Sequence, residues 1–283
     1  MSHNINITRK AVLIGCPGDR NNFLEGVKQD IKNICNYLKS DKGGAWYDSE
    51  IEVIYNPTFD KVSSVVHSVN VDYTFIYFSG HGFTNTDDHR MLCLKDYDMS
   101  DKFLLNESPR QLIIVDACRN YIAPGITGIP DFGEQWDHFD ATSPIHDLFD
   151  KYIENSPNGK LIIHATKQGE FSYDSPNGGY FTQALLHVST RIKNKNNCDP
   201  VHIYRILDYI PTVLQRHNNY QVPSITFRKG NLMVPFAFAI PSFSQKRSIP
   251  HKNPIPQISS NVNLVYLGLF AFFVIGITAI TSE

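Results

Sequence analysis

YTFIYFSGHG at residues 73–82 and QLIIVDACR at residues 111–119 share one design: an unbroken apolar run that stops abruptly at small and chemically active residues. Each run has strand length and is rich in β-branched and aromatic residues. A strand without polar alternation is covered on both faces, as in a parallel sheet flanked by helices. Working outward, KAVLIG at 10–15, IEVIY at 51–55 and KLIIHA at 160–165 repeat the pattern. Between them lie helical periodicities. Val27, Ile31, Ile34, Cys35 and Leu38 share one face of a helix over 26–39. Val62, Val65, Val66 and Val69 do the same over 60–69, with Asp60 as its expected N-cap, and Phe181, Ala184, Leu185 and Val188 over 180–192. The fold class is therefore α/β, a mostly parallel sheet flanked by helices. Residues 119–159, rich in Pro, Gly and Asp, read as one long irregular insertion.

The chain has 283 residues, 42% hydrophobic and 19% charged, with 17 Gly and 16 Pro, which excludes collagen-like, coiled-coil and wholly disordered classes. A net charge of -2 gives no global field for nucleic acid, so no nucleic-acid partner is expected. The five cysteines, at 16, 35, 93, 118 and 198, form no CxxC pair. They read as free thiols in a reducing compartment. Residues 1–10 lack the apolar core of a secretory signal. No P-loop, GxGxxG or zinc spacing occurs, so neither a nucleotide nor a metal cofactor is expected.

Sites in open α/β sheets gather beyond the carboxyl ends of the strands. Here Ser79-Gly80-His81-Gly82 follows one strand and Cys118 follows another. That pair suits nucleophilic acyl transfer: the imidazole takes the thiol proton and the thiolate attacks a carbonyl. Gly80 and Gly82 allow a tight turn, and the Gly82 and Cys118 N–H groups are candidate oxyanion donors. Spacing alone leaves open that Cys118 is a small buried hydrophobe. His164 and Cys93 sit in apolar patterns and read as plain core.

FSGHG at 78–82 followed by IVDACR at 114–119 resembles the caspase-like clan of cysteine proteases, which includes caspases and metacaspases. Leu24-Glu25-Gly26-Val27 with Asp30 is similar to the metacaspase segment before the first long helix. Ala165-Thr166, Gly169, Ser172-Tyr173 and Gly179-Tyr180-Phe181 resemble the start of the caspase small subunit, and Gln221-Val222-Pro223 its substrate-proximal segment. The resemblance runs from about residue 10 to 235. His81 and Cys118 stand 37 positions apart, against roughly 50 in animal caspases, and the Cys loop DACRN departs from QAC[RQG]G. It departs equally from the metacaspase pattern of acidic residue, Cys, Ser, Gly, so a divergent, bacterial-type member is the best description. The resemblance implies a cysteine endopeptidase acting on protein or peptide substrates, with His81 as base and Cys118 as nucleophile.

Where caspases carry the arginine that selects aspartate, just after the Ser172-Tyr173 pair, this chain has Asp174. With Asp30, on the expected polar side of the first helix, it implies a pocket that takes Arg or Lys and rejects Asp. The alternative for Asp174 is a solvent-facing place in the turn at 175–178. Lys151, within the insertion, and Lys160, bordering it, then become candidate self-cleavage sites. Asp96, Asp98 and Asp101 invite calcium by the same resemblance, but DYDMSD lacks the turn glycine and distal Glu of a calcium loop and reads as surface. Two rivals remain, a non-enzymatic caspase-like signalling scaffold and an unrelated α/β hydrolase or transferase using Cys118.

The C-terminal end differs from the rest. LVYLGLFAFFVIGITAI at 264–280 is uncharged and just long enough to cross hydrocarbon, which takes roughly 17–25 residues. It follows a Pro/Ser/Asn-rich linker with Lys246, Arg247 and Lys252, while no acidic residue occurs between Asp208 and Glu283. The organisation expected is a catalytic domain at 1–240, a linker at 241–261 and a transmembrane helix at 262–281. The basic flank puts the catalytic domain on the cytoplasmic side of a single-pass anchor.

Overall fold

The computed structural model describes residues 7–117, 143–192, 198–217 and 219–239. Its contacts divide the chain into two units, 1–243 and 244–283, the second wholly outside the described residues. The expected linker and membrane span therefore lie outside them too, as does Cys118. Among the described residues no helix is long and apolar enough to cross a membrane.

The chain runs β1 (Arg9–Cys16), α1 (Gly26–Lys39), β2 (Ile51–Tyr55), α2 (Phe59–Ser68), β3 (Tyr73–Gly80), β4 (Gly82–Thr84), β5 (Arg90–Cys93), β6 (Asp98–Ser100) and β7 (Arg110–Ala117). Then follow α3 (Pro144–Asn155), β8 (Gly159–His164), α4 (Tyr180–Arg191), β9 (Asp199–Val201), α5 (Ile203–Gln215), β10 (Ser224–Gly230) and β11 (Ala237–Ala239). The six-stranded sheet has the order β10-β8-β7-β3-β1-β2, parallel throughout except for β10. Small sheets β4-β5-β6 and β11-β9 sit apart from it.

Period-2 alternation explains the unbroken apolar runs. Leu13, Phe75, Tyr77, Leu112, Ile114, Leu161 and Ile163 point into one core, shared with α1, α3, α4 and α5. Their neighbours Val12, Ile14, Ile76, Phe78, Ile113, Val115 and Ile162 point into the other, shared with α2 and the β5–β6 layer. Polar residues in the middle of these strands would be buried, so those that occur, such as Thr74, Ser79, Gln111, Asp116 and His164, stand near the strand ends.

Several expectations change. Thr58, not Asp60, caps α2: its backbone is extended and its hydroxyl accepts the Lys61 N–H at 3.4 Å, while Asp60 falls inside the first turn. Part of the expected irregular insertion is helix α3, capped by Ser143 with Pro144 in the first turn, a place where proline favours a helix. Lys151 lies inside that helix and Lys160 inside β8, so neither is presented on the extended loop that self-cleavage needs. His164 is not plain core, because its Nε2 pairs with Asp101 Oδ2 at 2.9 Å with both side chains buried. Asp101 is thereby removed from the surface and from Asp96 and Asp98. Among the described residues no group of three His, Cys, Asp or Glu is arranged to hold a metal ion.

Candidate active site

β3 and β7 end level. Their register pairs Ser79 with Asp116 and Gly80 with Ala117, and β1 places Cys16 beside Gly80 on the other side. Gly80 is required there, since a Cβ would come within 2.4 Å of the Cys16 carbonyl oxygen. His81 follows directly and is half-buried. Its Nε2 bonds to the backbone carbonyl of Asn22, in the loop after β1. A carbonyl only accepts, so Nε2 carries a hydrogen and donates it. Gly18, at φ +87°, brings that loop flat against the ring, where a Cβ would lie 2.8 Å from Nε2. The sequence reading missed the Asn22 carbonyl because a backbone acceptor leaves no side-chain signature.

The Gly82 N–H takes no part in the ladder of the small sheet. Cys93 N donates to the His81 carbonyl at 3.0 Å, so Gly82 and its partner Leu92 form a non-hydrogen-bonded pair and the Gly82 N–H is directed away from β5. Cys16, paired with Gly80 in the strand register, is 2% exposed, and burial pushes its thiol up to about 12. Burial likewise raises Cys35 and Cys198. None of these is an activated thiol.

Beside His81 the strand ends meet a set of carboxylates. Asp30 is on the buried face of α1, not its polar side as expected. Its Oδ2 accepts from Ser79 Oγ at 2.8 Å and its Oδ1 from Gly179 N at 2.9 Å. Asp116, which the sequence reading passed over as mere motif, accepts from Ser172 Oγ (3.1 Å), Thr182 N (3.2 Å) and Thr182 Oγ1 (2.6 Å). Asp174 is partly exposed and takes neither expected form alone: its Oδ2 accepts the Gly26 N–H at 3.1 Å, at the start of α1. Gln221 braces the group by donating to the Ala165 carbonyl (2.9 Å) and Ser172 Oγ (3.1 Å), and Tyr173 carries its ring 6.1 Å from that of Tyr180.

Burial is the main cause of every shift here. It raises Asp30 well above its ordinary value, reinforced by Asp116, and raises Asp116 to about 6 against its three donors. Asp174 is raised by burial and held back by the Gly26 and Ser175 amides and by His81, which places it within electrostatic reach of the imidazole. Leu24, Val27, Tyr173 and these carboxylates surround only about 10 Å³ of free space, room for one water at most. These residues are closely packed against one another.

The structure thus brings His81, Gly82, Asp30, Asp174, Ser172 and Tyr173 to one end of the sheet, with Asp116 and Asn22 added. Residues 8–232 match the caspase domain family. Among solved structures, caspase-1 from Spodoptera frugiperda is similar at 18% identity over 83% of this chain and 89% of that one, with TM-score 0.49. Protein GSU0716 from Geobacter sulfurreducens is similar at 14% identity over 78% and 93%, with TM-score 0.49. A pro-sf-caspase-1 structure is similar at 18% identity over 79% and 93%, with TM-score 0.47. No curated protein matches the chain significantly. With the family match spanning most of its length, this chain belongs to the caspase domain family.

Proposed function

We propose that the protein is a cysteine endopeptidase that cleaves after Arg or Lys, with His81 as general base and Cys118 as nucleophile. The observation that carries this reading is His81 itself, fixed by the Asn22 carbonyl at the end of a strand level with the one that leads into Cys118. His81 Nδ1 takes the Cys118 thiol proton, and the thiolate bonds to the carbonyl carbon of the scissile peptide. The Gly82 and Cys118 N–H groups receive the developing oxyanion. The imidazolium then gives its proton to the departing amine as the C–N bond breaks. Water, deprotonated by His81, hydrolyses the thioester and restores the thiol.

For the specificity, Asp174 is the carboxylate at the pocket mouth, with Asp30 and Asp116 beneath it. A substrate cation entering this group gains charge-assisted hydrogen bonds, whereas an aspartate side chain meets like charge. Ser172 and Tyr173 line the same entrance. The chemistry needs no cofactor. Residues 262–281 are proposed to anchor the protein in a membrane as a single span, with Lys246, Arg247 and Lys252 keeping the catalytic domain cytoplasmic.

The closely packed pocket favours a second reading, a caspase-like scaffold without turnover. One experiment separates the two. Peptide reporters ending in Arg, Lys or Asp are offered to wild type, Cys118→Ala and His81→Ala. Hydrolysis of the basic reporters that either substitution removes supports the protease. Equal turnover in Cys118→Ala refutes the assignment, and no turnover of any reporter by the wild type favours the scaffold.

A further inference from the structure

On the α2 side of the small sheet lies a cavity of about 570 Å³, within the usual size of ligand sites and sharing no lining residue with the pocket beside His81. Three aromatic rings from three elements wall it. Phe59 opens α2, Tyr97 sits in the turn between β5 and β6, and Phe103 lies in the 3-10 turn after β6. Tyr97 stands 5.6 Å from Phe59 at 63°, and Phe103 stands 5.5 Å from it at 78°, so the rings form steeply angled walls. Tyr97 is 64% exposed and Phe103 48%. Three carboxylates, Asp60, Asp96 and Asp98, stand among them, and no lysine or arginine lines the cavity. Asp96 Oδ1 accepts the Phe59 N–H at 2.9 Å, which locks one carboxylate and one ring together.

We propose that this cavity is a binding site for an arginine side chain on an extended segment of a partner protein. Aromatic faces attract a cation through the ring quadrupole, and surrounding carboxylates pair with it. A guanidinium uses both, since its plane stacks on a ring while its fork meets a carboxylate. A purely apolar ligand would strip water from three carboxylates without return. A small hard cation would leave the rings unused. The site stands near the chemistry as well, because β4 starts at Gly82 and β5 is bonded to the His81 carbonyl. A protein bound here is held within reach of the catalytic end of the sheet.

The test titrates an acetylated, amidated Gly-Ser-Arg-Ser-Gly peptide into the full-length Cys118→Ala protein, followed by NMR. Its counterpart with neutral citrulline in place of arginine serves as control. Saturable shifts at the resonances of the cavity are expected, weakened about tenfold by citrulline and by each of Tyr97→Ala, Phe103→Ala and Asp98→Asn, while Asp174→Asn removes only the shifts at the strand ends beside His81. Tyr97 and Phe103 are substantially exposed, and thermal melts establish that their variants fold. Equal binding of citrulline would overturn the proposal, as would loss of all shifts in Asp174→Asn with none in Tyr97→Ala, which would mark the active-site pocket instead. Calcium binding that survives both ring substitutions, with no peptide binding, would overturn it too.

Discussion

Asp174 caps the first long helix of this protein from 148 residues away: its Oδ2 accepts the Gly26 N–H at 3.1 Å. The local N-cap position, Glu25, makes no side-chain bond to the helix, so the carboxylate replaces a cap that α1 does not supply itself. Gly26 is buried beneath it, and a Cβ there would come within 1.9 Å of Asp174 Oδ1. A negative charge at a helix N-terminus is favourable, which explains how a partly buried Asp174 is held in place.

Asp174 therefore has two separable duties. Asp174→Ala is expected to cost about 1 kcal/mol in chemical denaturation, the usual value of a lost cap, together with activity on Arg reporters. Asp174→Asn keeps an acceptor for Gly26 and should stay near wild-type stability while losing most of its kcat/KM on Arg peptides. Retained kcat/KM in the Asn variant would remove the charge-selective pocket.

The buried carboxylates make stability fall as pH rises. Burial raises Asp116 from an ordinary value to about 6, and raises Asp30 as well, so between about pH 4 and 6 the folded chain holds protons that the unfolded chain has released. Their contribution is thus neutral below the unfolded pKa and increasingly unfavourable above it. Asp116→Asn should flatten the decline of Tm between about pH 4 and 6 relative to wild type. A cationic side chain in the pocket favours the ionised forms, so KM for Arg reporters should drop across the same interval. A KM independent of pH would separate these carboxylates from substrate binding.

Gly18 governs the ring of His81. Its φ of +87° lies in the left-handed region, and a methyl group there would press on the imidazole. Gly18→Ala should lower kcat on basic reporters by at least about tenfold, since a displacement near 1 Å can cost more than that. Nitrogen-detected NMR should show the His81 tautomer population shift with it. Unchanged kcat and tautomer would mean the loop does not position the base.

The His164–Asp101 pair ties β8 to the turn after β6. Both side chains are buried, so Asp101→Ala removes the partner of the buried His164 Nε2 and should cost about 1–3 kcal/mol in urea denaturation. A loss below 1 kcal/mol would show that water or a second group satisfies His164.

The proposed anchor predicts that the chain ending at residue 243 stays in the supernatant and keeps its peptidase activity. The full-length chain should remain with membranes through alkaline and high-salt washes. Release by salt alone would indicate peripheral attachment.

The five parallel strands and the three helices over 26–39, 60–69 and 180–192 were legible in the sequence because burial on both faces leaves apolar runs that nothing else explains. β3 and β7 announce themselves by Phe75 to Phe78 and by Leu112 to Val115. Helix α5 was not legible: Pro211 sits inside it and masks the apolar stripe of Ile203, Ile206, Ile210 and Leu214. The small strands β4 to β6 are three or four residues long, too short to show a period.

By itself the sequence determined the strand ends that carry His81 and Cys118, because a strand must stop where its apolar run stops. It also marked Asp30 and Asp174 as charges of one sign in a chain of this family. Only the tertiary structure decided what surrounds them. The Asn22 carbonyl that orients His81, the recruitment of Asp116, and the cap that Asp174 places on α1 all join segments distant in the chain. Backbone acceptors have no residue code, and a carboxylate's partners depend on which strands lie side by side. That order was set by the packing of two cores, which no local pattern encodes.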